Sequence, residues 1–244
     1  MKPKNTDVFF SAQSFDEPEL RNKVVVVIDV LRATSTIVTA LSNGAKSVIP
    51  VGDMGEASKI SQSVDSDNYL LCGEKDGVKI EGYDHGNSPL EYTPEAVKGK
   101  TLIFNTTNGT KAIKKAAGSP KVRIASFLNM SAVVDSLLEE ENDILLLCAG
   151  WKGRLSVEDT ILAGAIIHKL NNGTLPDDAT DGTRVAFGLY EKYGENIEQV
   201  IMKSNHAARL LKLVGSDDIE YCCRRDICNL LPVLKHGIIS INNG

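Results

Sequence analysis

Acids stand in this chain where apolar runs stop. Asp29 follows "VVVVI" (24–28), Glu74 comes just after "YLLC" (69–72), and Glu158 and Asp159 lie inside "SVED" (156–159), ahead of an apolar stretch. A carboxylate at a strand end either caps the chain or holds a hard cation, which prefers oxygen ligands. Ser156 and Asp159 have the spacing of a capping box, and acids in a helix's first turn are favoured by its dipole. Asp159, however, shares a helical face with Leu162, Ala163 and Ile166, the inward face. An inward carboxylate wants a partner, and a metal ion is a good one. Glu158 could serve instead, and spacing does not separate the two. Several carboxylates at one site without a cation would repel one another and become protonated.

Cations and hydroxyls occupy the same turns. Arg32 follows Asp29 by three positions with Thr34, Ser35 and Thr36 behind it, Lys111 follows "NTTNGT" (105–110), and Arg154 follows the run ending at Cys148. Arginine suits bidentate contacts to phosphate, carboxylate or sulfonate. In "NTTNGT" a strand end, hydroxyls, a glycine and a helix start coincide, so free amides and the helix dipole favour an anion. Thr106, Thr107 and Thr110 add donors, with Asn108 and Gly109 between them; the alternative is that these residues only cap the helix. A Walker-A loop and a G-x-G-x-x-G fingerprint are absent, as is a G-x-S-x-G elbow. Asp29 lacks the second aspartate of an Asp-x-Asp phosphatase motif.

The elements that must position these groups read as an α/β fold. Val24–Ile28 is a continuous β-branched run of the kind covered on both faces. A helix is predicted from Thr34 to Leu41, ended by Asn43-Gly44, then a strand "KSVIPV" and a helix opened by "DMGE" (53–56). Without a gap, 25–54 lies over 101–130, pairing Thr34 with Thr110, Ile37 with Ile113 and Asp29 with Asn105. We read two related β-α-β-α units (25–58 and 101–134), a third strand-turn-helix over 143–170, helices at about 183–192, 195–203 and 205–213, and a C-terminal hairpin turned at His236-Gly237. The expected architecture is one layered domain over 1–244, with a mostly parallel or mixed sheet and helices on both faces. Ligands in such sheets bind outside the carboxyl ends of the strands. The irregular stretch 72–94 is long enough to suggest a functional loop carrying His85 and Asn87; His168, His206 and His236 have no local partner pattern and read as structural or surface residues.

Composition narrows the class. The 244 residues carry a formal net charge of −5, 42% hydrophobic and 24% charged residues, ordinary for a globular domain and unlike a nucleic-acid binder, which needs basic stripes. No apolar run reaches the length of a membrane span, and the first twenty residues do not form a leader pattern. Cysteines 72, 148, 222, 223 and 228 make an odd, irregular set that suits a reducing cytoplasm; "CCRRDIC" lacks a second ligand pair for zinc.

"IDVLRATST", "GEKDGVKIEGYDHGNSP", "NTTNGT", "CAGWKGRLSVEDTILAGAI" and "SNHAARL…DIEYC…LLPVL" together resemble the 2-phosphosulfolactate phosphatase family of coenzyme M biosynthesis, over about 7–241. The resemblance implies an Mg²⁺-dependent hydrolase of α/β fold acting on a small anionic phosphate ester, 2-phospho-3-sulfolactate, and a homodimer, and the cysteine set above places it in the cytoplasm. It places Asp29, Glu74, Glu158 and Asp159 among the metal-site acids. Arg32, Asn87 and the 106–110 turn would hold substrate, with Arg154 as a further cation and Asp29, Arg32 and Asp159 as the catalytic set. Other 2-phosphorylated hydroxy acids are the alternative substrates, and a non-catalytic anion-binding module is the alternative class. A metal-positioned water and an aspartyl-phosphate at Asp29 are both open as nucleophile.

Overall fold

A computed structural model describes residues 5–13, 17–63 and 68–241; parts of the leader window, 1–4 and 14–16, fall outside it. The chain runs β1 (Thr6–Phe9), β2 (Val24–Ile28), α1 (Ala33–Ser42), β3 (Ser47–Val51), α2 (Met54–Ser61), β4 (Tyr69–Lys75), β5 (Val78–Lys79), α3 (Pro94–Val97) and β6 (Thr101–Asn105). It continues through α4 (Gly109–Ala116), β7 (Lys121–Ala125), α5 (Met130–Leu138), β8 (Ile144–Cys148), α6 (Val157–Leu170) and α7 (Asp181–Tyr193). The last elements are α8 (Ile197–Ile201), α9 (Asn205–Val214), α10 (Asp217–Cys222), β9 (Pro232–Lys235) and β10 (Ile238–Ile241). The expected helix at 195–203 is thus shorter, and α10 was not expected.

The ten strands form one mixed, mostly parallel sheet in the order β1-β8-β2-β7-β9-β10-β3-β6-β4-β5. Helices lie on both faces, as the apolar run of β2 requires: Val24, Val26 and Ile28 pack in one core with α5, α6 and α7, whereas Val25 and Val27 pack in another with α1 and α4. No helix among the described residues is long and apolar enough to cross a membrane.

Both windows of the proposed repeat hold strand-helix-strand-helix. Their strands exchange partners: β2 lies parallel to β7, and β6 lies parallel to β3. The hairpin β9–β10, with His236 and Gly237 both at positive φ, sits between the halves and pairs antiparallel with β7 and β3. Three successive antiparallel pairings therefore set β3, β6 and β4 formally opposite to β2, β7 and β8. Twist of about 20–25° per neighbour accumulates to roughly 100–125° over the five steps from β2 to β6. That rotation turns the carboxyl ends of β2 and β6 back toward one another.

Candidate active-site cleft

The turns from β2 to α1 and from β6 to α4 are each closed by a threonine at the second helical position. Thr34 Oγ1 accepts the Asp29 amide at 3.1 Å and donates to the Asp29 carbonyl at 2.8 Å. Thr110 Oγ1 accepts the Thr106 amide at 3.1 Å and donates to the Thr106 carbonyl at 2.9 Å. Thr106 Oγ1 in turn accepts the Thr110 amide. Thr106 and Thr110, expected to touch substrate, are therefore buried and occupied with closing their own turn. The two turns meet: a Cβ added at Gly109 would lie 2.4 Å from Ala33 Cβ and 2.6 Å from Asp29 Oδ2. The Asp29 carboxylate thus rests against the N-terminus of α4, where the helix dipole favours negative charge.

The four expected metal-site acids are not equivalent. Both oxygens of Asp159 take backbone amides, Oδ1 from Val30 at 2.9 Å and Oδ2 from Gly150 at 3.2 Å, so this residue pins the loops after β2 and β8 together. Glu74 likewise accepts the Thr107 amide on Oε1 and the Gly77 amide and Thr107 hydroxyl on Oε2. Glu158, fully buried, has Oε1 2.6 Å from His206 Nδ1, while its Oε2 has no partner among the described residues. Asp29 lies at the cleft wall, where the nearby Ala33 amide favours its charged form. Burial above all, with the Glu74 and Glu158 carboxylates, pushes Asp29 up to about 7, against the opposing pull of His206. Burial first, then Asp29 and Glu158, raise Asp159 well above the usual carboxylate range. Such crowding of acids marks a site that gains from a cation.

Among the described residues no three His, Cys, Asp or Glu side chains form a ready-made metal cage. The oxygens left for a hard cation are those of Asp29 and the orphaned Oε2 of Glu158, and this donor set fits magnesium, which is commonly held by one or two carboxylates with water and substrate phosphate.

The cleft is walled by Asp29, Arg32, Glu74, Asn87, Thr107 and Asn108 from the expected set, joined by Trp151, Lys152, His206 and Arg209. Arg32 is not a free substrate clamp. Its Nη1 bonds Asp218 Oδ2 at 2.6 Å, with both side chains nearly solvent-free, and its Nη2 donates to the Gly77 carbonyl. Ser88 completes Asp218 at 2.5 Å. The 72–94 stretch is ordered by such contacts: Tyr92 donates to Gly86 O, Gly86 N to Glu91, and Thr36 to Asn87 O. It delivers Asn87, whose buried Oδ1 has no partner among the described residues, to the cleft. His85 instead packs beside Tyr92 and Glu91, away from the lining. Arg154 and Lys111 are exposed and do not line the cleft. Lys152 takes the place expected of Arg154 because the turn Trp151–Arg154, closed by reciprocal backbone bonds, turns Lys152 inward at φ 53°.

His206 contradicts its reading as a structural or surface residue. Its ring stacks on Trp151 at 5.4 Å and 20° while Glu158 holds Nδ1. The missed signal was the face of α9: His206, Arg209 and Leu210 stand at i, i+3 and i+4, and all three line the cleft. All five cysteines are buried and free.

A profile of the 2-phosphosulpholactate phosphatase family matches residues 9–237. A protein of Caldanaerobacter subterraneus subsp. tengcongensis described as a probable 2-phosphosulfolactate phosphatase is 45% identical over 93% of this chain and 93% of its own. Proteins with the same description from Thermotoga petrophila (46% identical; 88% of this chain, 91% of its own) and Clostridium tetani (42%; 96% and 99%) are also similar.

Proposed function

The chain belongs to the 2-phosphosulfolactate phosphatase family, and from that membership we propose that it hydrolyses 2-phospho-3-sulfolactate to 3-sulfolactate and phosphate with the help of Mg²⁺. The observation that carries this reading is the meeting of Asp29, the start of α4 and the Glu158–His206 pair at one cleft. A non-catalytic anion binder would have no use for crowded carboxylates there.

The dianionic phosphoryl group is received at the start of α4. The amide of Thr107 is used by Glu74 and that of Thr110 by Thr106, so Asn108 and Gly109 carry the amides left for phosphate oxygens. Asn87 lines the facing side of the cleft, where its side-chain NH2 is the group that donates to a phosphate oxygen. Asp29 and Glu158 are the residues that would hold Mg²⁺, which when bound neutralises phosphoryl charge and favours departure of the alkoxide. Asp159 acts through position, keeping Val30 and Gly150 fixed so that Asp29 keeps its place. His206 has Nδ1 committed to Glu158, so Nε2 is the nitrogen left to hand a proton to the leaving oxygen. Water is the nucleophile in this reading.

The test is phosphate release from 2-phosphosulfolactate by the purified protein with Mg²⁺ or with a chelator. Hydrolysis that stops on chelation and returns with Mg²⁺ is expected. Full turnover after chelation removes the metal from the reading, and no release under any condition removes the activity.

A further inference from the structure

Three cations line the cleft, and they are not alike. Arg32 is neutralised by buried Asp218. Lys152 and Arg209 have no carboxylate partner among the described residues. Lys152 Nζ sits 4.7 Å above the Trp151 ring, and Arg209 Nη2 donates to the Asp76 carbonyl at 2.8 Å. These two contacts aim both side chains without cancelling either charge. They also share one wall. Trp151 stacks on His206, and Arg209 lies one helical turn beyond His206 on the same face of α9. Of the acids, Asp29 lies against α4 and Glu74 beneath Thr107, while Glu158 sits behind His206, bonded to its Nδ1. A ligand bridging the two regions needs a phosphoryl group at one end and a second strong anion at the other.

We propose that Lys152 and Arg209 form the subsite for the substrate's sulfonate and are its specificity-determining residues; the proposal rests on the phosphatase reading above. In 2-phospho-3-sulfolactate the carboxylate hangs on the carbon that bears the ester, while the sulfonate is one carbon further out. It is therefore the group that reaches a wall apart from the phosphate. A sulfonate is a permanently ionised, three-oxygen head, and it suits donors converging from two chain segments. The guanidinium supplies a fixed fork and the ammonium a rotatable point charge. Charge pairing at the cleft wall gives specificity more than raw affinity, because the competitor without the sulfonate forgoes both contacts.

The experiment compares kcat/KM for 2-phosphosulfolactate and 2-phospholactate in the unmodified protein, Lys152→Gln, Arg209→Ala and Arg209→Lys. The unmodified protein should prefer the sulfonate. Lys152→Gln and Arg209→Ala should each cut that preference by about tenfold or more, with 2-phospholactate falling less, and Arg209→Lys should keep part of it. Calorimetric binding of 3-sulfolactate against lactate provides a second readout, and the same variants should lose that discrimination. An unchanged preference, or an equal fall for both substrates in variants that melt normally, overturns the subsite. If the unmodified protein hydrolyses neither ester, the phosphatase reading fails while the binding comparison still judges the subsite. Binding 3-sulfolactate no better than lactate would then overturn it as well.

Discussion

The two β-α-β-α units share a device and load it differently. In each, a threonine at the second position of the helix folds back on the residue that follows the strand. The first turn spans residues 29–32 and the second 106–108, so the first is one residue longer. The gapless pairing of Asp29 with Asn105 is therefore off by one at the turn: in structure Asp29 stands where Thr106 does. The helix starts remain in register, and they pair Ala33 with Gly109. These two positions touch, and there is room for only one methyl group between them. With a methyl group at Ala33 and none at Gly109 the two turns differ at their contact, and the difference leaves space for the Asp29 carboxylate. The longer turn carries the acid and a buried cation, and the shorter one carries free amides.

Swapping that methyl should have the largest effect. Gly109→Ala puts a Cβ 2.4 Å from Ala33 Cβ and 2.6 Å from Asp29 Oδ2, closer than real contacts allow. A loss of activity of roughly 100-fold, of the size expected when reacting groups are displaced by about 1 Å, should come with a lowered melting temperature. Ala33→Gly alone should cost only about 1 kcal/mol as a helix effect. The double change should recover stability more than activity, since the Asp29 contact persists. Assays of rate and melting temperature on all three variants check this, and a fully active Gly109→Ala would break the comparison.

Next come Arg32 and Asn108, which precede the two helices at equivalent places. Arg32→Ala strands the buried Asp218 and should cost about 3–5 kcal/mol, whereas the half-buried Asn108→Ala should change stability little and raise KM. Denaturant unfolding beside steady-state kinetics separates them. Equal stability losses would show that the two turns carry similar structural loads.

The last effect is a pH dependence that the first turn shares with Asp159. Asp29 titrates near 7 when folded, against an ordinary value of 3.8, so between these values the folded chain holds a proton the unfolded chain has lost. Stability of the metal-free protein should therefore fall as pH rises from about 4 to 7, by on the order of a few kcal/mol. Asp29→Asn should reduce the slope, leaving the part that the raised Asp159 contributes, and raise stability above pH 7 while abolishing most activity. Melting curves in chelator at pH 5 and pH 8 test the sign; a metal-free protein that gains stability over this interval would reverse it.

Much of this cleft was legible before any coordinates. Asp29, Glu74, Asn87, Thr107 and Asn108 were marked by their place beside strand ends or in a structured loop, and all of them line the cleft. His206 and Arg209 were not marked, because an i, i+3 pair on a helix gains chemical meaning only from what the helix faces. Arg32 was marked for the wrong load: its partner Asp218 lies 186 positions away, and no local pattern announces it.

The sequence by itself determined the element types, the double-sided burial of the parallel strands and the turns that carry polar groups. These follow from apolar periodicity, helix caps and turn residues, which act over a few neighbours. Only the tertiary structure decided that a C-terminal hairpin splits the sheet and reverses half of it, and that accumulated twist brings the two strand-to-helix turns together. It also decided which carboxylate oxygens remain free. Those outcomes depend on strand order and on backbone amides supplied from distant segments, and a hydrogen bond's partner is chosen by space rather than by sequence distance.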